Sequence, residues 1–115
     1  MSKKQKDFAN RLRSRGLVFN EEVRALPGTP DIYFDNNSLA VFFNGCFWHN
    51  HGCGKPIKNV IVASQRATQA EIDRAQYREL LRLNLNYVVV WECDFDKDPE
   101  AQVDKVIDRL RFSWV

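Results

Sequence analysis

The stretch DIYFDNNSLAVFFNGCFWHNHGC, residues 31–53, decides the fold. Its first part predicts two strands, residues 31–34 and 38–43, because β-branched and aromatic residues dominate both and the polar turn DNN separates them. Gly45 ends the second strand. The remainder, GCFWHNHGC, carries two cysteines and two histidines in nine positions, which indicates a metal site or a catalytic site.

Helices and strands are predicted on both sides of this hairpin. Ser2 and Gln5 match a capping box that begins a first helix, which ends at Gly16. The further elements are a short extended segment at 17–19, a helix at 70–83, a buried strand at 87–91 and a last helix capped by Asp98, while residues 54–70 are assigned no regular element. The order αβββαβα predicts an α/β fold with a mixed central sheet flanked by helices.

Length and composition indicate one globular domain covering residues 1–115. The chain is 44% hydrophobic and 28% charged, which is ordinary for a soluble protein, and it is too short for two cores. No apolar run approaches the roughly 20 residues that a membrane helix needs, and the first residues, MSKKQKDF, are charged. We therefore expect a cytoplasmic protein without a membrane partner.

Positive charge is concentrated at the start of the chain. The net charge is only +2, but residues 1–15 hold six lysines and arginines against a single acidic residue, Asp7. A basic helix here, with Lys3 and Lys4 at its start, predicts contacts with nucleic-acid phosphates. A solvated helix face explains the same charges equally well.

The three cysteines fit poorly with a disulfide framework because their number is odd. Cys46, His51 and Cys53 lie close together, and Cys93 follows the predicted strand 87–91, which places it beside the same sheet. Three sulfur ligands and one nitrogen ligand are the number and type that structural zinc prefers. The alternative is that the cysteines pack as small hydrophobic side chains.

His49 is left over when these four residues are assigned to zinc. It follows one strand of the hairpin, and Asp31 begins the other, so we expect the two side chains to lie near each other. A neutral imidazole near a carboxylate-bound metal ion can accept a proton from water and generate a nucleophile. A histidine with an ordinary place in the core or on the surface is the alternative.

Three motifs together resemble the very-short-patch mismatch-repair endonuclease family, and the phage and intron homing endonucleases that share its domain. They are LPGTPD at 26–31, VFFNGCFWHNHGC at 41–53 and VVVWEC at 88–93. The resemblance extends from the first helix to the last of these motifs. It implies a restriction-endonuclease-like core, a structural zinc ion and a Mg²⁺-dependent phosphodiesterase site for double-stranded DNA, in a bacterial or phage-infected cell.

The resemblance also implies roles for single residues. The zinc ligands would be the four residues that the spacing indicates. Asp31 and the main-chain carbonyl of Phe43 would bind Mg²⁺, and His49 would activate the attacking water. Asp73, on the helix before the last strand, would orient His49.

Aromatic and polar residues of the same loop would contact DNA. Phe47 and Trp48 match aromatic residues that wedge between base pairs, although packing of the zinc loop explains Phe47 equally well. Asn44 stands where the mismatch-repair enzymes carry a histidine, and Phe43 where they carry a threonine. The resemblance therefore favours the homing branch, and we expect Asn44 among the residues that contact DNA.

Gln5 is the sharpest departure, because it aligns with a catalytic glutamate on the first helix. A glutamine has the shape of a glutamate without its negative charge. Two explanations stay open, an engineered inactivating change and a natural variant with weaker activity. The alternative is that Gln5 serves only the capping box with Ser2.

The prediction is therefore a Mg²⁺-dependent endonuclease that nicks double-stranded DNA, of the homing type, with activity reduced by Gln5. A zinc-stabilised DNA-binding module that does not cut and a mismatch-specific repair nickase are the alternatives. The predicted oligomeric state is a monomer or a DNA-dependent dimer.

Overall fold

A computed structural model describes residues 2–47, 49, 51–54 and 57–112. In chain order the elements are α1 (Lys3–Ser14), β1 (Asn20–Glu21), β2 (Ile32–Phe34), a 3₁₀ turn (Asp35–Asn37), β3 (Leu39–Asn44), α2 (Val60–Arg82), β4 (Asn86–Trp91), α3 (Glu92–Lys97) and α4 (Pro99–Phe112). The strands form one sheet in the order β1-β2-β3-β4. Strands β1 to β3 are antiparallel neighbours and β4 is parallel to β3, so the predicted mixed sheet is confirmed.

The predicted hairpin is present as β2 and β3. Ile32 pairs with Val41 and Phe34 pairs with Leu39. Ser38 closes the turn in the left-handed region at φ +51°. All six residues of β3 are buried, because helices cover both faces of the sheet.

One face of the sheet carries the larger core. Helices α1, α3 and α4 cover this face and bury its aliphatic and aromatic side chains. At its centre Phe8, Phe43 and Phe95 join α1, β3 and α3, with ring centroids 5.4 to 5.9 Å apart. Burial of three such rings stabilises the position of α1 on the sheet by several kcal/mol, at ~25 cal/mol per Å² of apolar surface.

Helix α2 covers the other face. Leu80 is fully buried against Ala40 and Phe42, and the ring of Tyr77 packs edge-on to Phe42 at 5.3 Å. The helix begins at residue 60, ten residues before the predicted start. The side chain of Asn59 caps it by accepting from the N–H of Val62 at 3.1 Å.

Smaller differences occur at two other places. The extended segment expected at 17–19 forms its strand slightly later, at β1, while Leu17 and Phe19 pack against the core. The short helix α3 was not predicted, since only Phe95 of its six residues is fully buried. Asp98 caps α4 as expected, accepting from the N–H of Ala101 at 3.1 Å.

One edge strand of the sheet is short, and on the other edge strand side chains occupy backbone acceptors. Strand β1 is two residues long. On the β4 edge, side chains from α4 occupy backbone acceptors: Nζ of Lys105 donates to the carbonyl of Val89 at 2.8 Å, and a guanidinium nitrogen of Arg109 donates to the carbonyl of Tyr87 at 2.9 Å. Among the described residues, no helix combines the length and apolar character that crossing a membrane requires.

Candidate active site

Asp31 lies just before β2 and takes hydrogen bonds on both carboxylate oxygens. Oδ2 accepts from the N–H of Phe43 at 2.7 Å, and Oδ1 accepts from Nε2 of Gln5 at 3.1 Å. Burial raises the pKa of the Asp31 carboxyl, although these two hydrogen bonds oppose the shift. No lysine or arginine of the described residues forms an ion pair with Asp31. A bound cation would therefore relieve the cost of its charge.

The loop before β2 fits closely against this site. Gly28 has φ +80°, in the left-handed region that glycine tolerates. A Cβ added there would lie 2.9 Å from the ring of Phe42 and 3.1 Å from Oε1 of Gln76. The sequence LPGTP thus brings the backbone next to the sheet and sets the position of Asp31.

The main-chain carbonyl of Phe43 points to the same side as Asp31. In an extended strand the N–H and C=O of one residue face the same neighbour, and the N–H of Phe43 faces Asp31. One carboxylate and one carbonyl are hard oxygen ligands, and Mg²⁺ commonly binds one or two carboxylates and takes its other ligands from water and substrate phosphates. The oxygens of Asp31 and Phe43 therefore fit Mg²⁺.

Gln5 is placed beside Asp31 by α1, and only 9% of it is exposed. Its main-chain N–H donates to Oγ of Ser2 at 3.2 Å, so the predicted helix cap is confirmed. Its side chain is used differently, as a donor to Asp31. Gln5 therefore does more than cap the helix: a glutamine donates to Asp31 where a glutamate would repel it.

The expected pair of His49 and Asp73 is formed. Nδ1 of His49 lies 2.5 Å from Oδ2 of Asp73, and the other carboxylate oxygen accepts from Nε2 of Gln69 at 2.9 Å. A carboxylate at Nδ1 favours the tautomer with its proton there, which leaves Nε2 of His49 as an acceptor. Asp73 is buried, so this orientation is well defined.

Asp31 and His49 both line one cavity of about 230 Å³. Asp31, Phe43 and Asn44 line it from the sheet side, and His49 and Asp73 line it from the loop and α2. Further residues around it are Gly28, Thr29, Phe42, Gln69, Gln76 and Tyr77. The structure thus brings the expected metal ligand and the expected base to one space.

The four expected zinc ligands converge. The ligand atoms of Cys46, His51, Cys53 and Cys93 all lie within 4.8 Å of one another. The main-chain N–H of Cys93 donates to Sγ of Cys46 at 3.3 Å, and the ring of His51 stacks on Trp91 at 4.2 Å. The described residues contain no other group of three or more such ligands.

The chemistry of this cluster favours a metal ion over packed thiols. None of the three cysteines is buried, and Cys53 is exposed, so packing as small hydrophobic side chains does not explain them. Sulfur ligands bind metals as thiolates, so a cation must supply the charge that keeps them deprotonated together. Three sulfurs and one imidazole within this distance fit tetrahedral zinc.

The aromatic residues of the loop are only partly described. Phe47 is 45% exposed, so burial in the core does not explain it. Its carbonyl accepts from Nε of Arg66, and the guanidinium lies 4.9 Å from the centre of its ring. Trp48 lies outside the described residues, and its expected contact with DNA stays a prediction.

Two of the three polar residues expected to contact DNA, Asn44 and Lys4, have partners within the protein. Asn44 is 4% exposed, and its Nδ2 donates to the hydroxyl of Tyr77 at 3.0 Å. Nζ of Lys4 lies 2.9 Å from the carboxylate of Asp96, which a phosphate would have to displace. Lys3 is exposed and forms no ion pair with a described residue. Contacts of these residues with DNA remain predictions.

Three further basic side chains of this segment are also paired. Arg11, Arg13 and Arg15 form ion pairs with carboxylates of neighbouring segments, at 2.6 to 3.3 Å. Such exposed pairs contribute little stability, about 0 to 1 kcal/mol each. They do reduce the positive charge that α1 presents to a nucleic acid.

Arg66, Gln69 and Tyr77 of α2 had not been predicted, and they contact the expected site residues Phe47, Asp73 and Asn44. With Asp73 they stand at positions i, i+3, i+7 and i+11 of α2, which is one face of a helix. This spacing is the signal that could have found them. Arg66 and Gln69 were missed because the helix was expected to begin only at residue 70.

Comparisons with known proteins identify relatives of this chain. A family model described as DNA mismatch endonuclease Vsr matches residues 2–55. The type II nicking enzyme V.XorIIP of Xanthomonas oryzae is 34% identical over 110 residues, which cover 90% of this chain and 81% of the relative. The DNA mismatch endonuclease Vsr of Escherichia coli is 28% identical over 115 residues, covering 96% and 73%.

The matched part includes α1, the hairpin and most of the loop that carries the Cys/His cluster, and the relatives extend it over nearly all of the chain. The expected restriction-endonuclease-like core is therefore confirmed. Its motifs, its fold and these relatives show that the chain belongs to the Vsr family of DNA endonucleases.

Proposed function

We propose that this chain is an endonuclease that nicks double-stranded DNA by hydrolysing a phosphodiester bond, with Mg²⁺ held at Asp31. The observation that carries the proposal is that His49, oriented by Asp73, faces the same cavity as Asp31 and the Phe43 carbonyl. The names of the relatives, a DNA mismatch endonuclease and nicking enzymes, support the same reaction.

The two sides of the cavity contribute different parts of the hydrolysis step. Asp31 and the Phe43 carbonyl would hold Mg²⁺, which supplies positive charge beside the phosphate when it is bound. Nε2 of His49 accepts a proton from the attacking water as the water oxygen bonds to phosphorus and the bond to the leaving 3′ oxygen breaks. Asp73 stabilises the resulting imidazolium through Nδ1.

The Cys/His cluster would serve the reaction indirectly. We assign zinc to Cys46, His51, Cys53 and Cys93, with four protein ligands and no open position for substrate. His49 lies within the loop that these ligands fix, two residues before His51. Zinc would thus hold the base in place without taking part in hydrolysis.

Gln5 would reduce activity because the residue beside Asp31 carries no charge. A second carboxylate there would strengthen the attraction for a divalent cation, whereas the amide of Gln5 already satisfies one oxygen of Asp31. This contact also favours the second candidate, a DNA-binding module that does not cut. The homing assignment rests on Asn44 and Phe43 and on the resemblance alone, and mismatch-specific repair remains its rival.

The test is nicking of supercoiled plasmid in Mg²⁺ by the wild-type chain and by Gln5→Glu, with His49→Ala as the control in both backgrounds. We expect the glutamate variant to nick faster. We expect His49→Ala to lose a factor of about 10² to 10⁴, the usual contribution of a general base. DNA binding without nicking in either background would support the binding module instead. We also propose that the protein works in the cytoplasm, where its DNA substrate lies.

A further inference from the structure

Tyr77 occupies a defined place in the cavity that the proposed mechanism does not use. Its ring stacks on Tyr87 at 4.5 Å, with 10° between the ring planes, and packs edge-on to Phe42. These two contacts fix the ring, and Tyr77 lines the space that Asp31 and His49 also line.

Asn44 determines which way the hydroxyl proton points. Nδ2 of Asn44 donates to the Tyr77 oxygen at 3.0 Å, so this oxygen acts as an acceptor towards Asn44. The hydroxyl keeps its own proton for a different partner. No described residue accepts it, although Tyr77 is only partly exposed.

The donor also keeps its proton over the whole working range of pH. Burial raises the pKa of Tyr77 to about 12, and the nearby carboxylates of Asp73 and Asp31 contribute in the same direction. An ionised tyrosinate would repel a phosphate, whereas a neutral phenol donates to it.

We propose that Tyr77 is a further catalytic residue, which donates a hydrogen bond to a non-bridging oxygen of the phosphate being cleaved, with Asn44 as the residue that positions its hydroxyl. This rests on the proposed function, because it assumes that the phosphate enters the cavity between Asp31 and His49. Negative charge grows on the non-bridging oxygens as water attacks. A fixed neutral donor there stabilises the transition state more than the ground state.

The experiment compares Tyr77→Phe with Tyr87→Phe in single-turnover nicking and in DNA binding. Both variants lose one hydroxyl and keep the stacked rings, but Tyr87 lines a groove beside β4 and not the cavity. Tyr77→Phe is expected to slow nicking about 100-fold at saturating protein, as loss of one transition-state donor does in other enzymes. Tyr87→Phe is expected to stay within about twofold of the wild type.

A modified substrate separates contact from structural support. On a synthetic duplex spanning one mapped nick site, either diastereomer of a methylphosphonate replaces one non-bridging oxygen by a methyl group. With the diastereomer that lacks the oxygen facing Tyr77, Tyr77→Phe should cause no further loss, since the two changes remove the same hydrogen bond. With the other diastereomer the loss should persist.

Two results would overturn the role of Tyr77 while leaving the proposed function intact. One is nicking by Tyr77→Phe at the rate of Tyr87→Phe. The other is a loss of nicking rate for Tyr77→Phe that is as large on both methylphosphonate duplexes as on the unmodified duplex. If neither the wild type nor Gln5→Glu nicks DNA, the proposed function fails and the role of Tyr77 fails with it. The assays are run in both backgrounds so that these cases are distinguished.

Discussion

Replacing Gln5 by glutamate tests the electrostatics of the site directly. The change keeps the shape of the side chain and replaces a donor to Asp31 by a second carboxylate. We expect Gln5→Glu to destabilise the folded chain in Mg²⁺-free buffer and to regain stability when Mg²⁺ is added.

The magnitude can be worked from the contact distance. Nε2 of Gln5 lies 3.1 Å from Oδ1 of Asp31, and a glutamate would put an oxygen in the place of that nitrogen. Two carboxylate charges about 4 Å apart repel by about 4 kcal/mol at an effective dielectric constant of about 20. Loss of the hydrogen bond adds about 1 kcal/mol.

The repulsion cannot cost more than the free energy of protonating one of the two carboxylates. At pH 7, protonating a carboxyl whose ordinary pKa is about 4.3 requires about 3.7 kcal/mol, so the free energy of unfolding should fall by about 3 to 4 kcal/mol. At pH 5 the same protonation requires only about 1 kcal/mol. The pKa of the coupled pair is raised in the folded state, so the destabilisation is present at neutral pH and shrinks as pH falls.

The measurement is urea unfolding of both proteins at pH 7 and pH 5, with and without Mg²⁺. Divalent ions are removed without soluble chelators, because a chelator would also attack the Cys/His cluster. Mg²⁺ at 100 times its dissociation constant should return about 2.7 kcal/mol to the variant. Gln65→Glu is the matched control, since it adds the same charge on the exposed surface of α2.

The electrostatic reasoning would be refuted by either of two results. One is an unchanged free energy of unfolding for Gln5→Glu without Mg²⁺. The other is a loss of stability that Mg²⁺ does not reverse, since a packing defect and not repulsion would then be its cause.

Three other changes have expected outcomes. Asp31→Asn should abolish Mg²⁺-dependent nicking without lowering stability at pH 7. Burial raises the pKa of Asp31, so its ionised form opposes folding, and the stability difference from the wild type should close as pH falls through that raised pKa in urea titrations. Cys93→Ser should lower the zinc content found by elemental analysis and lower the melting temperature, because it removes one of four ligands. Gly28→Ala should cost about 1 to 3 kcal/mol of unfolding free energy, since its Cβ would press on the ring of Phe42, whereas Gly54→Ala has open space and should cost little.

Local sequence patterns predicted most of the sheet and its first helix. The hairpin followed from the β-branched and aromatic residues on both sides of DNN, and the cap at Ser2 from its spacing to Gln5. The Cys/His cluster followed from residue type and spacing, together with the position of Cys93 after a strand. Each of these features depends on residues that are close in sequence or on one pair of neighbouring strands.

The first half of α2 could not be predicted by hydrophobic periodicity. Its buried positions are polar, Arg66 and Asp73, and the first buried apolar residue of the helix is Leu80. The apolar residues at its start are on the outside, with Val60 77% and Ile61 70% exposed. A helix that buries its charged face contradicts the rule by which amphipathic helices are recognised.

The contacts between distant segments were also beyond local patterns. The resemblance aligned Gln5 with a catalytic glutamate, but only the packing of α1 on the sheet shows that it lies beside Asp31 and that its amide donates to the carboxylate. The pairing of Asn44 with Tyr77 had no signal in the sequence, because neither residue belongs to a recognisable motif with the other.

The short β1 edge and the occupied β4 edge affect whether two copies of the chain could join their sheets. Exposed strand edges are where proteins join sheets, through rows of unpaired backbone groups. In the described part of this chain, one edge is only the two residues of β1, and on the other Lys105 and Arg109 occupy carbonyls of β4. A continuous sheet across two molecules is therefore disfavoured. If both DNA strands are cut, two copies must be brought together by the duplex itself, or one copy must visit the strands in turn.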